Sequence, residues 1–229
     1  MLLAILGWGA APARSAAEAP TLVKAMLDNA PEAAESRCSY TRTRIEDGDS
    51  RRERYHAGDV VSAWELVRMN DREPTDAELR RYVRKGEHRD RRHPLDFDLR
   101  GMVDADHWRL RSESETEAVF EFRLRATEDL DERLVDKVLG TLVMDKVRLQ
   151  PVRIRIDNTQ PAYVAPLVRV AEYSQEMRFR WEPTVGAAVL AETETRWRGR
   201  AVGLKVLKRH KLVRYSDYQC GGEVADVAG

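Results

Sequence analysis

The stretch from Gly86 to Trp108 concentrates side chains that could bind a metal ion or transfer protons. It reads GEHRDRRHPLDFDLRGMVDADHW. Imidazole and carboxylate groups are the usual general acids and bases, and they are also common ligands of catalytic metals. A metal-dependent or hydrolytic site here would use His88, His93, Asp96, Asp98, Asp104, Asp106 and His107.

The spacing of these residues argues against such a site. His88 and His93 are five residues apart, which is ~500° of helical rotation, so they would not share a helical face. Pro94 would break a helix at that point. The chain also lacks G-x-S-x-G, H-E-x-x-H and a phosphate-binding glycine loop. We therefore predict a solvated connector and a protein that is not an enzyme, with no catalytic residue, metal ligand or cofactor. An uncharacterised hydrolase is the remote alternative.

A second chemically suggestive segment, RWRGRAVGLKVLKRHKLVRY, mixes arginine, lysine and tryptophan near the C-terminus. Such a mixture can contact anionic lipid headgroups or nucleic acid. The whole chain has 39 Lys+Arg and 39 Asp+Glu, and this balance gives no general attraction to nucleic acid. As a strand, the segment is expected to face its charges outward or place them at a turn, with headgroup contact as the alternative. The residues expected inward are Val202, Leu204, Val206 and Leu212; those expected outward are Lys205, Arg209 and Lys211.

The elements that would position these residues are mostly strands. In TEAVFEFRLRA, apolar residues alternate with charged ones, and VRIRIDN repeats the pattern. Short turns such as EDGDS favour antiparallel neighbours. With 34% charged residues, a sheet with one wet face is expected. The fold class predicted is mainly β (α+β), a large curved antiparallel sheet or unclosed β-barrel covered by a few helices. Its apolar face would either pack as a core or line a ligand cavity through Trp64, Trp108, Phe120, Phe122, Leu124, Ile154 and Ile156.

Three short helices are predicted beside the sheet. TLVKAMLDN, starting at Thr21, is amphipathic. PTDAELRRYV contains a capping box, because Glu78 follows Thr75 by three residues. In that helix Leu79, Tyr82 and Val83 share one face and are expected to cover the sheet. The stretch from Asp129 to Gly140 allows a third helix that ends at the glycine.

The N-terminus and the cysteines indicate export. Residues 1–17 resemble a signal peptide, although a disordered or buried N-terminal segment is the alternative. Residues 18–229 then form a single domain. No cysteine follows the apolar run, so we expect no lipid anchor. Cys38 and Cys220 are predicted to form a disulfide, with two free thiols as the alternative. The predicted location is the periplasm.

The segment WELVRMNDREPTDAELRRYV carries a family resemblance. A tryptophan-containing strand that runs into a P-T-x-x-E turn and helix is similar to a segment of exported bacterial lipoprotein-carrier proteins, the LolA/LolB-like superfamily. Asn70 and Asp71 stand where that segment has glycine. The early helix, the meander and the long charged-and-apolar strands extend the resemblance over most of residues 18–229.

This resemblance implies an unclosed barrel whose concave apolar face shelters acyl chains beneath a helical lid. Here the lid would be the helix that bears Leu79, Tyr82 and Val83. The expected function is that of a non-enzymatic periplasmic binding protein for a lipid, lipoprotein acyl chain or other hydrophobic ligand, in outer-membrane lipoprotein or lipid trafficking. The expected partners are that lipid or acylated protein and an envelope protein, with the chain itself a monomer. A structural or envelope-assembly factor with a packed core and no ligand is the alternative.

Overall fold

The structure, a computed structural model, describes residues 19–28, 38–58, 63–86, 103–125, 135–165, 168–201 and 206–220. Within these ranges it contains two helices, α1 (Ala19–Asp28) and α2 (Asp76–Arg84). The strands in the same ranges are β1 (Ser39–Glu46), β2 (Asp49–Tyr55), β3 (Trp64–Met69), β4 (Val103–Glu113), β5 (Glu117–Leu124), β6 (Val138–Asp145), β7 (Gln150–Asn158), β8 (Ala162–Ala165), β9 (Val168–Glu182), β10 (Ala187–Ala201) and β11 (Val206–Gln219).

All eleven strands belong to one sheet, in the order β3-β2-β1-β11-β10-β9-β7-β6-β5-β4, and β8 pairs with β9 beside this path. Every pairing is antiparallel. The path ends at β3 and β4, so the sheet is open. The predicted fold class is therefore confirmed. No helix in the described ranges combines the length and apolarity needed to cross a membrane.

Turn chemistry explains the β1–β2 hairpin. Glu46 pairs with Asp49, which leaves Asp47 and Gly48 as a two-residue turn. Both have positive φ, 51° and 94°. That backbone matches the twist of a hairpin, and aspartate and glycine are the residues that tolerate it. The sequence EDGDS thus sets the register of the first two strands.

The predicted disulfide is confirmed. Cys38 directly precedes β1 and Cys220 directly follows β11, and these two strands are neighbours in which Ser39 lies opposite Gln219. The bond joins the two cysteines across a sequence separation of 182 residues. It closes the first and last strands of the described sheet onto each other.

One face of the sheet, which we call the inner face, carries the core. Across successive strands it presents Phe120, Leu142, Ile154, Met177 and Val213, all at most 5% exposed. Helix α1 adds Val23 and Met26 to the same buried cluster. Period-two alternation therefore gives a single core that the sheet and α1 share.

The opposite, outer face is covered by ion pairs. Arg178 Nε lies 2.7 Å from Glu176, and Arg178 and Arg214 each lie 3.1 Å from Glu192. The arginine side chains are more than half exposed. Exposed pairs of this kind contribute little stability, but they keep one face of a large sheet wet.

Helix α2 begins as its sequence predicts. Thr75 is the N-cap: its hydroxyl accepts from the Glu78 backbone N–H at 3.4 Å, and the Glu78 carboxylate accepts from the Thr75 N–H at 2.8 Å. Arg72 donates to both Glu78 carboxylate oxygens, and these contacts lower the pKa of Glu78 to about 2. Asn70 and Asp71 have φ of 48° and 60°. Asparagine and aspartate tolerate this left-handed backbone, which explains why they can stand in place of glycine.

The helix expected to end at Gly140 is not formed over its last residues. Val138–Asp145 is strand β6, and residues 126–134 lie outside the described ranges. Gly140 faces Phe122 across the sheet, and a Cβ at this position would lie 2.2 Å from that ring. The glycine therefore makes room for an aromatic ring within a strand. Its role is tertiary packing, whereas local sequence indicated a helix end.

Candidate functional site

The residues predicted to line a ligand cavity lie on the inner face, but they are packed against the protein itself. Six of the seven are at most 4% exposed: Trp64, Phe120, Phe122, Leu124, Ile154 and Ile156. The seventh, Trp108, is partly buried and its ring lies 4.9 Å from that of Phe122. The structure thus brings these side chains into one buried cluster.

Helix α1 covers this cluster more completely than the predicted lid helix α2. Val23 and Met26 are each 2% exposed, and α1 contacts β4. In α2, Tyr82 is buried, whereas Leu79 and Val83 are 38% and 56% exposed. The expectation that all three α2 residues cover the sheet therefore holds for the tyrosine alone. The amphipathic spacing of TLVKAMLDN indicated an apolar face on α1, but the similar spacing in α2 left open which of the two helices covers the core.

The acidic and histidine-rich segment lies mostly outside the described ranges. His88, His93, Asp96 and Asp98 are not described. Asp104 and Asp106 belong to β4, and His107 is an exposed residue of the same strand. Among the described residues, no group of three or more His, Cys, Asp and Glu side chains is arranged to hold a metal ion.

The side chains of the C-terminal basic strand, β11, point to the opposite faces of the sheet from those expected. Lys211 lies on the same side as Val213, which is 5% exposed, and Arg209 shares that side through the uninterrupted β10–β11 register. Leu212, expected inward, pairs with Ile45 on the outer face, and Val206 is 49% exposed. The remaining members of the prediction, Val202, Leu204 and Lys205, lie outside the described ranges.

A one-residue change of register explains this error, because it moves every side chain of a strand to the other face. Both alternating sets in β11 contain apolar residues. Leu212 belongs to one set, and Val213 and Tyr215 belong to the other. Burial of Val213 and Tyr215 decides the orientation in the folded sheet. Two cations are thereby placed on the inner face.

These cations belong to a larger group that sequence reasoning missed. We define the basic patch as Arg44, Arg51, Arg209 and Lys211. Arg51 lies opposite Arg44 in the β1–β2 pair, and Lys211 lies opposite Glu46 in the β1–β11 pair. The patch therefore occupies three adjacent strands on the inner face.

One carboxylate, Glu46, is shared within the patch. It accepts hydrogen bonds from Arg44 Nε at 2.9 Å and from Arg209 Nε at 2.5 Å. Partial burial alone would raise the pKa of Glu46, but the two arginines outweigh it and lower the pKa. Glu46 is therefore ionised at neutral pH, and its charge is committed to two guanidinium groups.

Lys211 has a different environment. Burial, followed by the neighbouring charge of Arg44, lowers the pKa of its ammonium group to about 8. Glu46 raises that pKa, but among the described residues no carboxylate lies within ion-pair distance of the ammonium. Lys211 is thus a partly desolvated cation that remains protonated near pH 7.

A buried ion pair separates the patch from the aromatic core. Glu53 is fully buried, and its Oε2 accepts from Arg42 Nε at 2.6 Å. The Arg42 guanidinium carbon lies 3.6 Å from the centroid of a Trp64 ring, a cation–π contact. Glu53 Oε1 is buried and accepts no hydrogen bond from any described residue. The pair anchors β1 to β2, and it engages the Glu53 charge.

The inner face changes from charged to apolar along cross-strand rows. One row runs from Lys211 through Thr195 and Gln175 to Ile156. The neighbouring row runs from Arg44 to Val213 and continues into the core. Neutral polar side chains therefore lie between the basic patch and the apolar strands.

An open groove adjoins the patch. Its volume is about 520 Å³, and Arg209 is among its lining residues. Two aromatic side chains, Trp197 and Tyr173, also line it. They lie in one cross-strand row with Arg209, next to the row that contains Lys211. The groove also reaches the outer face, because Glu172, Arg198 and Lys208 line it as well, so side chains of both charge signs surround it.

These features define a class of protein. Its antiparallel sheet is open, and a disulfide joins the start of its first strand to the end of its last strand. A helix covers its core, and one face carries a basic patch. Comparisons with protein-family models, with curated proteins and with solved structures give no match. Function is therefore argued from the geometry of the inner face.

Proposed function

We propose that the protein is a periplasmic carrier, related to the LolA/LolB-like proteins, that binds the acyl chain of a lipid or lipoprotein against its inner face. The observation that carries this proposal is the way α1 covers the open sheet. A ten-residue helix shields apolar side chains of the sheet by inserting Val23 and Met26. A ligand that displaces α1 would occupy the same surface.

The energetics allow such an exchange. Full burial of a valine or methionine side chain contributes about 1.5–3 kcal/mol, and each acyl methylene contributes about 0.8 kcal/mol. A chain of roughly six methylenes would therefore replace the burial of Val23 and Met26. Longer chains would favour the ligand over the helix.

Export is supported by the disulfide and by the N-terminal sequence. Disulfides persist in oxidising compartments such as the periplasm. The Cys38–Cys220 bond fits such a location, as does an apolar leader-like segment at residues 1–17. The proposed protein is a monomer without enzymatic activity that receives its ligand from an envelope partner.

The first test is direct recovery of the ligand. The protein is purified from the periplasm and extracted with organic solvent, and the extract is examined by mass spectrometry. We expect a lipid or acylated species in stoichiometric amount. A binding assay with the apolar fluorescent probe 1-N-phenylnaphthylamine then measures how tightly an apolar ligand binds in place of α1.

Two α1 variants make the assay specific. Met26→Ala removes a buried contact, so weaker helix docking should raise the apparent affinity for the probe by about tenfold. Lys24→Ala changes an exposed residue of the same helix and should leave the affinity unchanged. A protein that is recovered empty and takes up no probe, even as Met26→Ala, would contradict the carrier proposal.

A ligand-free structural or assembly factor is the second candidate. The tight burial of Phe120, Ile154 and their neighbours favours it, because a fully packed face needs no ligand to satisfy it. Under this alternative α1 is a permanent part of the core. Met26→Ala would then lower stability without any gain in probe binding.

A further inference from the structure

We propose that Lys211, with Arg44 beside it, forms a binding site for an anionic group, a phosphate or carboxylate, at the head of an amphiphilic ligand. The placement of its chain rests on the proposed carrier function, whereas the anion site rests on the charges of the inner face alone. The ligand class thereby narrows from any hydrophobic molecule to an anionic amphiphile.

The charge balance of this part of the face carries the first step. On β1, β2 and β11, the described inner-face side chains comprise five cations and three carboxylates. The cations are Arg42, Arg44, Arg51, Arg209 and Lys211, and the carboxylates are Glu46, Asp49 and Glu53. This part of the face therefore has an excess of positive charge in a protein whose formal net charge is zero.

Each of the three carboxylates is already engaged. Glu53 binds Arg42, and Glu46 is shared by Arg44 and Arg209. Asp49, at the turn, accepts from the Asn70 side-chain amide at 3.3 Å. Lys211 is consequently left without an ion pair among the described residues. A ligand anion would supply the missing counter-charge.

Desolvation strengthens this argument. A partly buried ammonium beside guanidinium groups is unfavourable, and its lowered pKa reports that cost. Cations on the outer face, such as Arg178 and Arg214, have carboxylate partners. The contrast indicates that Lys211 is placed for an interaction that the protein itself does not provide.

Geometry connects the anion site to the apolar surface. Lys211 and Ile156 lie in one cross-strand row, three strands apart. At about 4.8 Å per strand this is roughly 15 Å, within reach of an ordinary acyl chain. A headgroup at Lys211 would let the chain pass Thr195 and Gln175 and end over the apolar strands.

The test compares three probes by isothermal titration calorimetry at pH 7: dodecyl phosphate, dodecanol and inorganic phosphate. The first two share a chain and differ in charge, and the third has the charge without the chain. The variant is Lys211→Gln. Its matched control is Lys208→Gln, which removes an exposed lysine on the outer face of the same strand. Lys211→Arg tests whether a retained charge preserves binding.

We expect dodecyl phosphate to bind the natural protein at least about tenfold more tightly than dodecanol, the effect of one charge-assisted contact. Lys211→Gln should remove most of that preference, whereas Lys208→Gln and Lys211→Arg should keep it. A thermal melt of Lys211→Gln should show no loss of stability, which separates lost binding from lost folding.

The outcomes distinguish the two proposals. Equal affinities for dodecyl phosphate and dodecanol would overturn the anion site and leave the carrier function standing. Inorganic phosphate that binds as tightly as dodecyl phosphate, and depends on Lys211, would support the anion site with a free anion as its ligand and contradict the carrier function. A phosphate preference that survives in Lys211→Gln would overturn the anion site.

Discussion

The two halves of the inner face bury different kinds of side chains. The half formed by β4 to β7 is apolar, with Phe120, Leu142 and Ile154 each fully buried. The half formed by β1 to β3 and β11 buries aromatic rings together with charges, including the fully buried Glu53. The first half gains stability from packing alone, whereas the second accepts desolvated charges that packing does not require.

This difference suggests a division of roles. An apolar half can hold a chain or a covering helix, and neither demands a particular orientation. Charged groups in a half-buried setting impose orientation, because each needs a partner at a defined position. Mutations that act on one half at a time can therefore test whether packing and charge serve different purposes.

Phe120→Ala should give the largest loss of stability. The side chain is fully buried on β5, so its removal leaves a cavity and should lower the free energy of unfolding by about 3–5 kcal/mol. Glu121→Ala, a change at the neighbouring outer-face position, should cost less than about 1 kcal/mol. Urea denaturation would measure both, and equal losses would contradict the assignment of faces.

Removal of the disulfide should have the next largest effect. The double variant Cys38→Ala/Cys220→Ala opens a bond between residues 182 apart in sequence, at the boundary of β1 and β11. Loss of such a crosslink should lower the free energy of unfolding by about 2–4 kcal/mol. The natural protein treated with reductant should show a similar loss. If neither treatment changes stability, the bond does not constrain the charged half.

Glu53→Gln tests the buried ion pair. The neutral amide keeps the shape of the carboxylate but leaves Arg42 without its counter-charge in a largely buried position. We expect a loss of about 2–3 kcal/mol, measured by urea denaturation. Arg52→Gln, at an exposed outer-face position on the same strand, is the control and should be nearly neutral. If Glu53→Gln leaves the free energy of unfolding unchanged, the cation–π contact with Trp64 is sufficient to stabilise the buried Arg42 charge.

The sequence predicted the apolar half well and the charged half poorly, for physical reasons. In β5, the four buried residues are apolar, and three of the four residues that alternate with them are charged, so only one orientation buries Phe120 and Phe122. In β11, the adjacent Leu212 and Val213 make both orientations plausible, and the choice depends on contacts with β1 and β10. Cross-strand contacts are not visible in a single strand's pattern.

Helices show the same limit. The capping box of α2 was readable because Thr75 and Glu78 interact locally. Which helix covers the core was not readable, since Val23 and Leu79 stand in similar amphipathic patterns and only the folded sheet decides between them. Gly140 resembled a helix end for a related reason: the ring of Phe122, which needs the space, lies in another strand.

The smallest predicted effect, Lys211→Met, has the opposite sign and tests the charged half most sharply. In the unfolded chain this lysine has its ordinary pKa of 10.5, whereas in the folded protein the pKa is about 8. The folded state therefore disfavours the ammonium form. Below pH 8 that penalty is fully present, so Lys211→Met should be more stable than the natural protein by about 1 kcal/mol, after allowance for solvent screening of a partly exposed group.

The pH dependence provides the check. Between pH 8 and 10.5 the unfolded chain binds more protons at this position than the folded protein, so the stability of the natural protein should rise relative to Lys211→Met. The advantage of the variant should then shrink as the pH increases from 7 to 10, in urea denaturation of both proteins. A constant difference would mean that packing of the methionine, and not the lysine charge, sets the effect. Two results together would show that the Lys211 charge lowers stability and binds the ligand. Lys211→Met would be more stable than the natural protein only below about pH 8, and it would no longer bind dodecyl phosphate.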